Sequence, residues 1–149
     1  MPSSPSTFIL PLRVYYEDTD AAGVVYYANY LRYFERARTE WLRALGFEQR
    51  RLAQDYDVAF VARSVSCEYL QPAVLDDALN VRTQIGSMGR AQIVFAQRIL
   101  RPAAAGEQLL VTATTRVACV GAQRLKPRAL PRDMYELFNR LISPGAAEQ

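Results

Sequence analysis

At 149 residues, half of them hydrophobic, the chain has enough apolar material for one ordinary core and no composition break that would mark a second domain. Eighteen Lys and Arg against fifteen Asp and Glu leave a formal charge of +3, too small and too dispersed to predict nucleic-acid binding, though compatible with a local site for phosphates. There is no histidine, which excludes Ser-His-Asp and Cys-His catalytic arrangements and histidine zinc sites, and leaves Asp, Glu, Cys, Tyr and Lys for acid and base work.

The first six residues are rich in Pro and Ser and read as a mobile end, with order beginning near Phe8. The apolar run Phe8-Ile-Leu-Pro-Leu12 is too short for a membrane span and lacks the layout of a secretory signal. Residues 13–17 are predicted as the first strand, with Val14 and Tyr16 on one face. Residues 18–23 read as an acidic loop in which Gly23 permits a tight turn. Asp20 thereby stands just ahead of a helix, where a carboxylate can activate water and helix-start N–H groups can receive negative charge.

The helix is predicted over residues 29–45. Tyr30 or Leu31, then Phe34, Ala37, Trp41, Leu42 and Leu45 recur at helical spacing, Asn29 can stabilise the entry, and Gly46 supplies the left-handed stop. Glu35 and Arg38, three residues apart, are expected to pair on its surface. Residues 48–57 read as a short helical turn and a connector.

Extended patterns follow. Val65, Cys67 and Tyr69 alternate with polar residues until Pro72, and Leu79, Val81, Thr83 and Ile85 do the same before a turn at Ser87-Met-Gly-Arg90. Ile93, Phe95, Gln97 and Ile99 share one parity of the next strand, and Pro102 to Glu107 supplies a reversal. Residues 109–120 form a strand apolar on both faces, suited to a helix on one side and a subunit or sheet on the other. Cys67 and Cys119 lie in such runs, where a small buried thiol is ordinary, and they predict a reducing, intracellular setting. Pro131 opens a last helix carrying Met134, Leu137, Phe138 and Leu141. The order of elements is α+β, with a twisted antiparallel sheet free to wrap the long helix. Periodicity alone leaves other helix-on-sheet folds open.

Several stretches carry a resemblance. Val14-Tyr-Tyr-Glu-Asp-Thr-Asp-Ala-Ala-Gly-Val-Val-Tyr-Tyr-Ala-Asn-Tyr30, Phe34-Glu-Arg-Ala-Arg-Thr-Glu40, Val65-Ser-Cys-Glu-Tyr-Leu-Gln-Pro-Ala-Val-Leu-Asp-Asp77 and Lys126-Pro-Arg-Ala-Leu-Pro131 are similar to the Tol-Pal-associated branch of the hotdog-fold acyl-CoA thioesterases, within the hydroxybenzoyl-CoA thioesterase-like superfamily. The resemblance implies a hotdog fold over residues 8–142, a long central helix wrapped by a five-stranded antiparallel sheet, between flexible termini at 1–7 and 143–149. It implies a homodimer or homotetramer whose active sites form across a dimer interface.

It also implies hydrolysis of acyl-CoA, with CoA entering as part of the substrate, no separate cofactor or metal, and acyl carrier protein as an alternative thioester donor. A noncatalytic acyl-thioester-binding or envelope-organising protein is the alternative of another class. The expected location is cytoplasmic, open to peripheral association with the inner membrane. Asp20 matches the family's catalytic carboxylate, as general base or nucleophile. Asp18 reads as a turn or capping residue.

At Tyr27 the narrower branch commonly carries histidine, while tyrosine stands there in hydroxybenzoyl-CoA thioesterase relatives. Phenols ordinarily titrate near ~10, so Tyr27 is assigned to positioning, and its backbone N–H to polarising the thioester carbonyl. Arg90, Lys126 and Arg128 are the candidate contacts for the CoA phosphates.

Overall fold

Alternation of apolar and polar residues sets the inner face of the sheet. Val81, Thr83 and Ile85, then Ile93, Phe95, Gln97 and Ile99, then Val111, Ala113, Thr115 and Val117 are all buried. They belong to β3 (Ala78–Gly89), β4 (Gln92–Ala103) and β5 (Gly106–Val120) of a computed structural model that describes residues 6–142. β1 (Thr7–Arg13) and β2 (Ala59–Tyr69) complete one antiparallel sheet in the order β1-β3-β4-β5-β2. The expectations for residues 1–5 and 143–149 lie outside the described residues.

Against the inner face lies α1 (Asn29–Ala44), which buries Tyr30, Tyr33, Phe34, Ala37, Trp41 and Leu42. Each large apolar side chain withdrawn from water in this way contributes about 1.5–3 kcal/mol. One half of the core gathers Tyr30, Tyr33 and Phe34 with Val14, Val25, Ala73 and Val81. In the other half, Trp41 and Leu42 meet Leu52 of α2 (Gln49–Tyr56) and Met134, Phe138 and Leu141 of α3 (Arg132–Leu141). Gln97 is 2% exposed and satisfies its amide by donating to the Phe34 carbonyl at 3.0 Å and to Thr83 Oγ1 at 2.9 Å. This ties the middle of α1 to the centre of the sheet.

The helix expected over 29–45 ends at Ala44, and Gly46 takes φ 96° as its position demands. The short helical turn in 48–57 is α2. The first strand is different: it is β1, and Tyr16–Asp18 form a 3-10 turn instead. Leu10 and Leu12 pack against the core, and Pro11 is tolerated because β1 has a neighbour on one side only. Beyond Arg13, Val14 still turns inward at 1% exposure, while Tyr15 and Tyr16 stand out in solvent at 62% and 82%.

The hairpin turn expected at 87–90 sits later. β3 pairs through Gly89 with Gln92, so only Arg90 and Ala91 reverse the chain. The Glu35–Arg38 pair does not form. Arg38 reaches inward over the Phe95 ring, 6.0 Å from its centroid, and donates to Gln97 Oε1 at 3.0 Å. A buried amide with a free acceptor holds the guanidinium better than a solvated carboxylate on the helix surface.

Candidate active site

The acidic loop is built by short-range hydrogen bonds. Tyr15 N–H donates to Asp18 Oδ2 at 2.9 Å, so the Asp18 carboxylate works as a turn cap. Thr19 and Val25 form an isolated antiparallel bridge, and the segment between them closes through Asp20 N–H to the Val24 carbonyl at 2.9 Å. Gly23, at φ 81°, donates its N–H to the Asp20 carbonyl at 3.0 Å. The Asp20 side chain is exposed; Oδ1 accepts the Ala22 N–H at 2.8 Å, while Oδ2 takes no hydrogen bond among the described residues.

The carbonyl of Asp18 joins this loop to the helix start. It accepts Tyr26 N–H at 3.0 Å and Asn29 Nδ2 at 2.8 Å. Asn29 N–H then bonds to the Tyr26 carbonyl, Tyr30 N–H to that of Tyr27, and Leu31 N–H to that of Ala28. The N–H groups of Tyr27 and Ala28 donate no backbone hydrogen bond, and they occupy the positive end of α1. Tyr33 lies beneath, its hydroxyl buried. Burial first, and then the nearby Asp18 carboxylate, push its phenol up, yet no hydrogen bond closes between them.

A second loop, residues 70–77, supports the first. Val24 bridges Val74, and Val25 N–H donates to the Ala73 carbonyl at 2.9 Å. Ala73 N–H in turn donates to the Tyr30 hydroxyl at 3.0 Å. Asp77 Oδ2 accepts Val74 N–H at 2.9 Å and Arg101 Nη1 at 2.7 Å, and Arg101 also reaches Gln108 Oε1 at 2.7 Å. Replacing Arg101 with Met removes the cation that anchors Asp77, and is expected to lower stability by about 1–3 kcal/mol. The denaturant midpoint checks the stability; catalytic turnover should fall with it, because the loop under Asp20 loses its anchor.

Beside the helix start is a groove of about 250 Å³ lined by Val25, Tyr27, Tyr30, Tyr69, Leu70 and Pro72 among others. Tyr27 stands 62% exposed at its rim, its ring edge-on to Tyr69 at 6.3 Å between centroids. The Tyr69 phenol is pushed up by burial and by Cys67. Both cysteines are free thiols; burial raises Cys119 to about 11, and Cys67 packs against the core.

One chain does not bring the expected phosphate contacts to Asp20. β3 starts beside the acidic loop and ends at the Arg90 turn, which over its 12 residues is roughly 35–40 Å away. Arg90 lines a cleft of about 540 Å³ with Leu130, Arg132 and Tyr135, Lys126 is exposed on the connector, and Arg128 pairs with Asp57 at 3.5 Å. Sequence reasoning missed Tyr30, Tyr69, Asp77 and Arg101 as supports of the site. It also missed the Arg38–Gln97 contact, although Gln97 was signalled by being the one amide in the parity of Ile93, Phe95 and Ile99. Among the described residues no three His, Cys, Asp or Glu gather as a metal site, and no helix is long and apolar enough to cross a membrane.

A long helix packed on a five-stranded antiparallel sheet, with an acidic loop locked to the helix start, is the hotdog fold. The sequence pattern of the thioesterase-like superfamily matches residues 14–138. The chain belongs to that superfamily, and within it to the YbgC family. It is 46% identical over 134 residues to the acyl-CoA thioesterase YbgC of Haemophilus influenzae, covering 90% of this chain and 96% of that protein. It is 48% identical over 133 residues to the acyl-CoA thioester hydrolase YbgC of Escherichia coli O157:H7, covering 89% and 96%. Among solved structures, a probable thioesterase from Bartonella henselae superposes with a TM-score of 0.77 at 38% identity, over 84% of this chain and 99% of that one.

Proposed function

We propose that this protein hydrolyses acyl-CoA thioesters to a carboxylic acid and free CoA. The observation that carries the reading is an Asp20 carboxylate with one uncommitted oxygen in a loop whose Asp18 carbonyl is bonded to Tyr26 N–H and Asn29 Nδ2, on either side of the Tyr27 and Ala28 N–H groups that donate no backbone hydrogen bond. The names of the relatives, which describe acyl-CoA hydrolysis, supply the substrate class.

In one route Asp20 takes a proton from water, the oxygen attacks the thioester carbonyl, and the tetrahedral oxyanion is stabilised at the helix-start N–H groups. The C–S bond then breaks and the thiolate leaves, collecting a proton as free CoA. In the other, Asp20 attacks directly, thiolate leaves, and water resolves the resulting anhydride. Both use the same atom. An acyl carrier protein presents the same thioester and is the alternative donor. Continuous detection of free thiol from a panel of acyl-CoA substrates tests the reading, and no release across the panel sinks it.

The site is completed by a second copy of the chain. β2 is an edge strand whose Val61, Val65 and Tyr69 are 43%, 46% and 47% exposed. Antiparallel pairing of two β2 edges about a two-fold axis would set the partner's Ala59 end beside Tyr69. It would thereby carry the Arg90 and Lys126–Arg128 end of one sheet towards the Asp20 end of the other, where these cations can meet CoA phosphates. The solution mass is expected to be at least twice that of one 16.8 kDa chain, with pairing of dimers giving a tetramer. Val65→Glu should shift the mass towards the monomer; a folded wild-type monomer by light scattering would defeat this assembly. The reading places the protein in the cytoplasm, with Tol-Pal association and peripheral contact with the inner membrane as consequences of the family.

A further inference from the structure

We propose that the outer face of the sheet carries an oxyanion site between Arg82 and Arg98, separate from the Asp20 groove and suited to a phosphate-type anion. Arg82 and Arg98 are direct cross-strand partners in the register of β3 and β4, followed by Gln84 opposite Ala96. Their sequence neighbours Thr83, Gln97 and Ile99 point into the core, so both arginines project from the opposite face. Like charges placed directly across a ladder repel.

Among the described residues, one ion pair serves the two arginines. Arg82 Nη2 pairs with Glu107 at 2.9 Å, which accounts for one charge. Arg98 has no ion-pair or side-chain hydrogen-bond partner among the described residues, and its Nε is buried without an acceptor. Ala96, opposite Gln84 and carrying only a methyl group, lines the recess beside the arginines. The result is a recess of about 170 Å³ lined by Arg82, Gln84, Ala96 and Arg98, with no carboxylate in its wall. The Gln84 amide is fixed at the rim by its 3.0 Å bond to Thr7 Oγ1. Two guanidinium forks, one wholly uncommitted and one partly so, match the several acceptor oxygens of a phosphate or phosphomonoester. A bound anion would relieve the repulsion between the arginines.

The test is thermal unfolding of the full-length protein in increasing inorganic phosphate, against sodium chloride at matched ionic strength. The wild type should show a saturable rise in Tm specific to phosphate. Arg98→Gln should lose it, while Arg116→Gln, an exposed arginine on the same face, should keep it. Should Arg98→Gln fail to fold, Arg98→Lys retains the charge without the fork, and the phosphate midpoint should rise severalfold. Thiol release by the folded variants should match the wild type. A rise that follows ionic strength alone, or one that survives both Arg98 substitutions, overturns the proposal. So does a wild type indifferent to phosphate whose solution mass falls on Arg98→Gln, since the arginine pair would then serve an interface between copies.

Discussion

Asp20→Asn is expected to lower kcat/KM for acyl-CoA by about 10²–10⁴-fold, the usual contribution of a positioned acid–base group. The amide cannot take a proton from water and is a poor nucleophile, so both routes fail together. The fold should be indifferent. Asn retains a carbonyl oxygen to accept the Ala22 N–H now bound by Oδ1, and the main-chain bonds from Asp20 N–H and to the Asp20 carbonyl are unaffected. Circular dichroism, Tm and solution mass should therefore match the wild type while thiol release falls. Turnover close to the wild-type rate in the purified variant would remove Asp20 from the mechanism. Asp18→Asn is the informative companion: its structural part is acceptance of the Tyr15 N–H, and it should cost far less activity.

Phe34→Ala is expected to destabilise the protein by about 3–5 kcal/mol, the usual cost of emptying a buried aromatic site. Phe34 is 1% exposed at the centre of α1, among Tyr30, Tyr33, Val81 and Ile99. Its neighbours are divided among α1, β3 and β4 and cannot collapse independently into the space. Domains of this size are stable by about 5–15 kcal/mol, so a loss of that order brings the fold near its limit. Leu31→Ala, one turn from Phe34 but 38% exposed, should have a much smaller effect. Guanidinium denaturation separates the two; equal midpoints for both variants would mean that α1 is not the centre of the core.

Much of the fold was legible because burial writes itself into periodicity. The stripe of Phe34, Ala37, Trp41 and Leu42 specified α1, Gly46 its end, and the parity of Leu79, Val81, Thr83 and Ile85 the inner face of β3. β1 was misplaced because Pro11 disguises an edge strand, and because Tyr15 and Tyr16 look apolar while standing in solvent. Arg38 was misread because helix spacing identifies Glu35 as a possible partner but contains no information on a buried amide 59 residues away. The acidic loop was readable because its bonds are local: Asp18 to Tyr15, Asp20 to Ala22, Gly23 to Asp20.

The sequence by itself determined the long helix, most of the strands, the absence of histidine chemistry and the carboxylate presented at a helix start, since the helix, strands and loop depend on neighbours a few residues apart. Only the tertiary structure decided what holds that carboxylate in place. The Asp18–Asn29 bond, the contacts of Ala73 with Val25 and Tyr30, the Val24–Val74 bridge and the Arg101–Asp77 anchor join separate segments through contacts that leave no periodic trace. Tertiary structure likewise decided that Arg90, Lys126 and Arg128 lie at the far end of the sheet from Asp20, because an antiparallel strand as long as β3 separates its two ends by its full length.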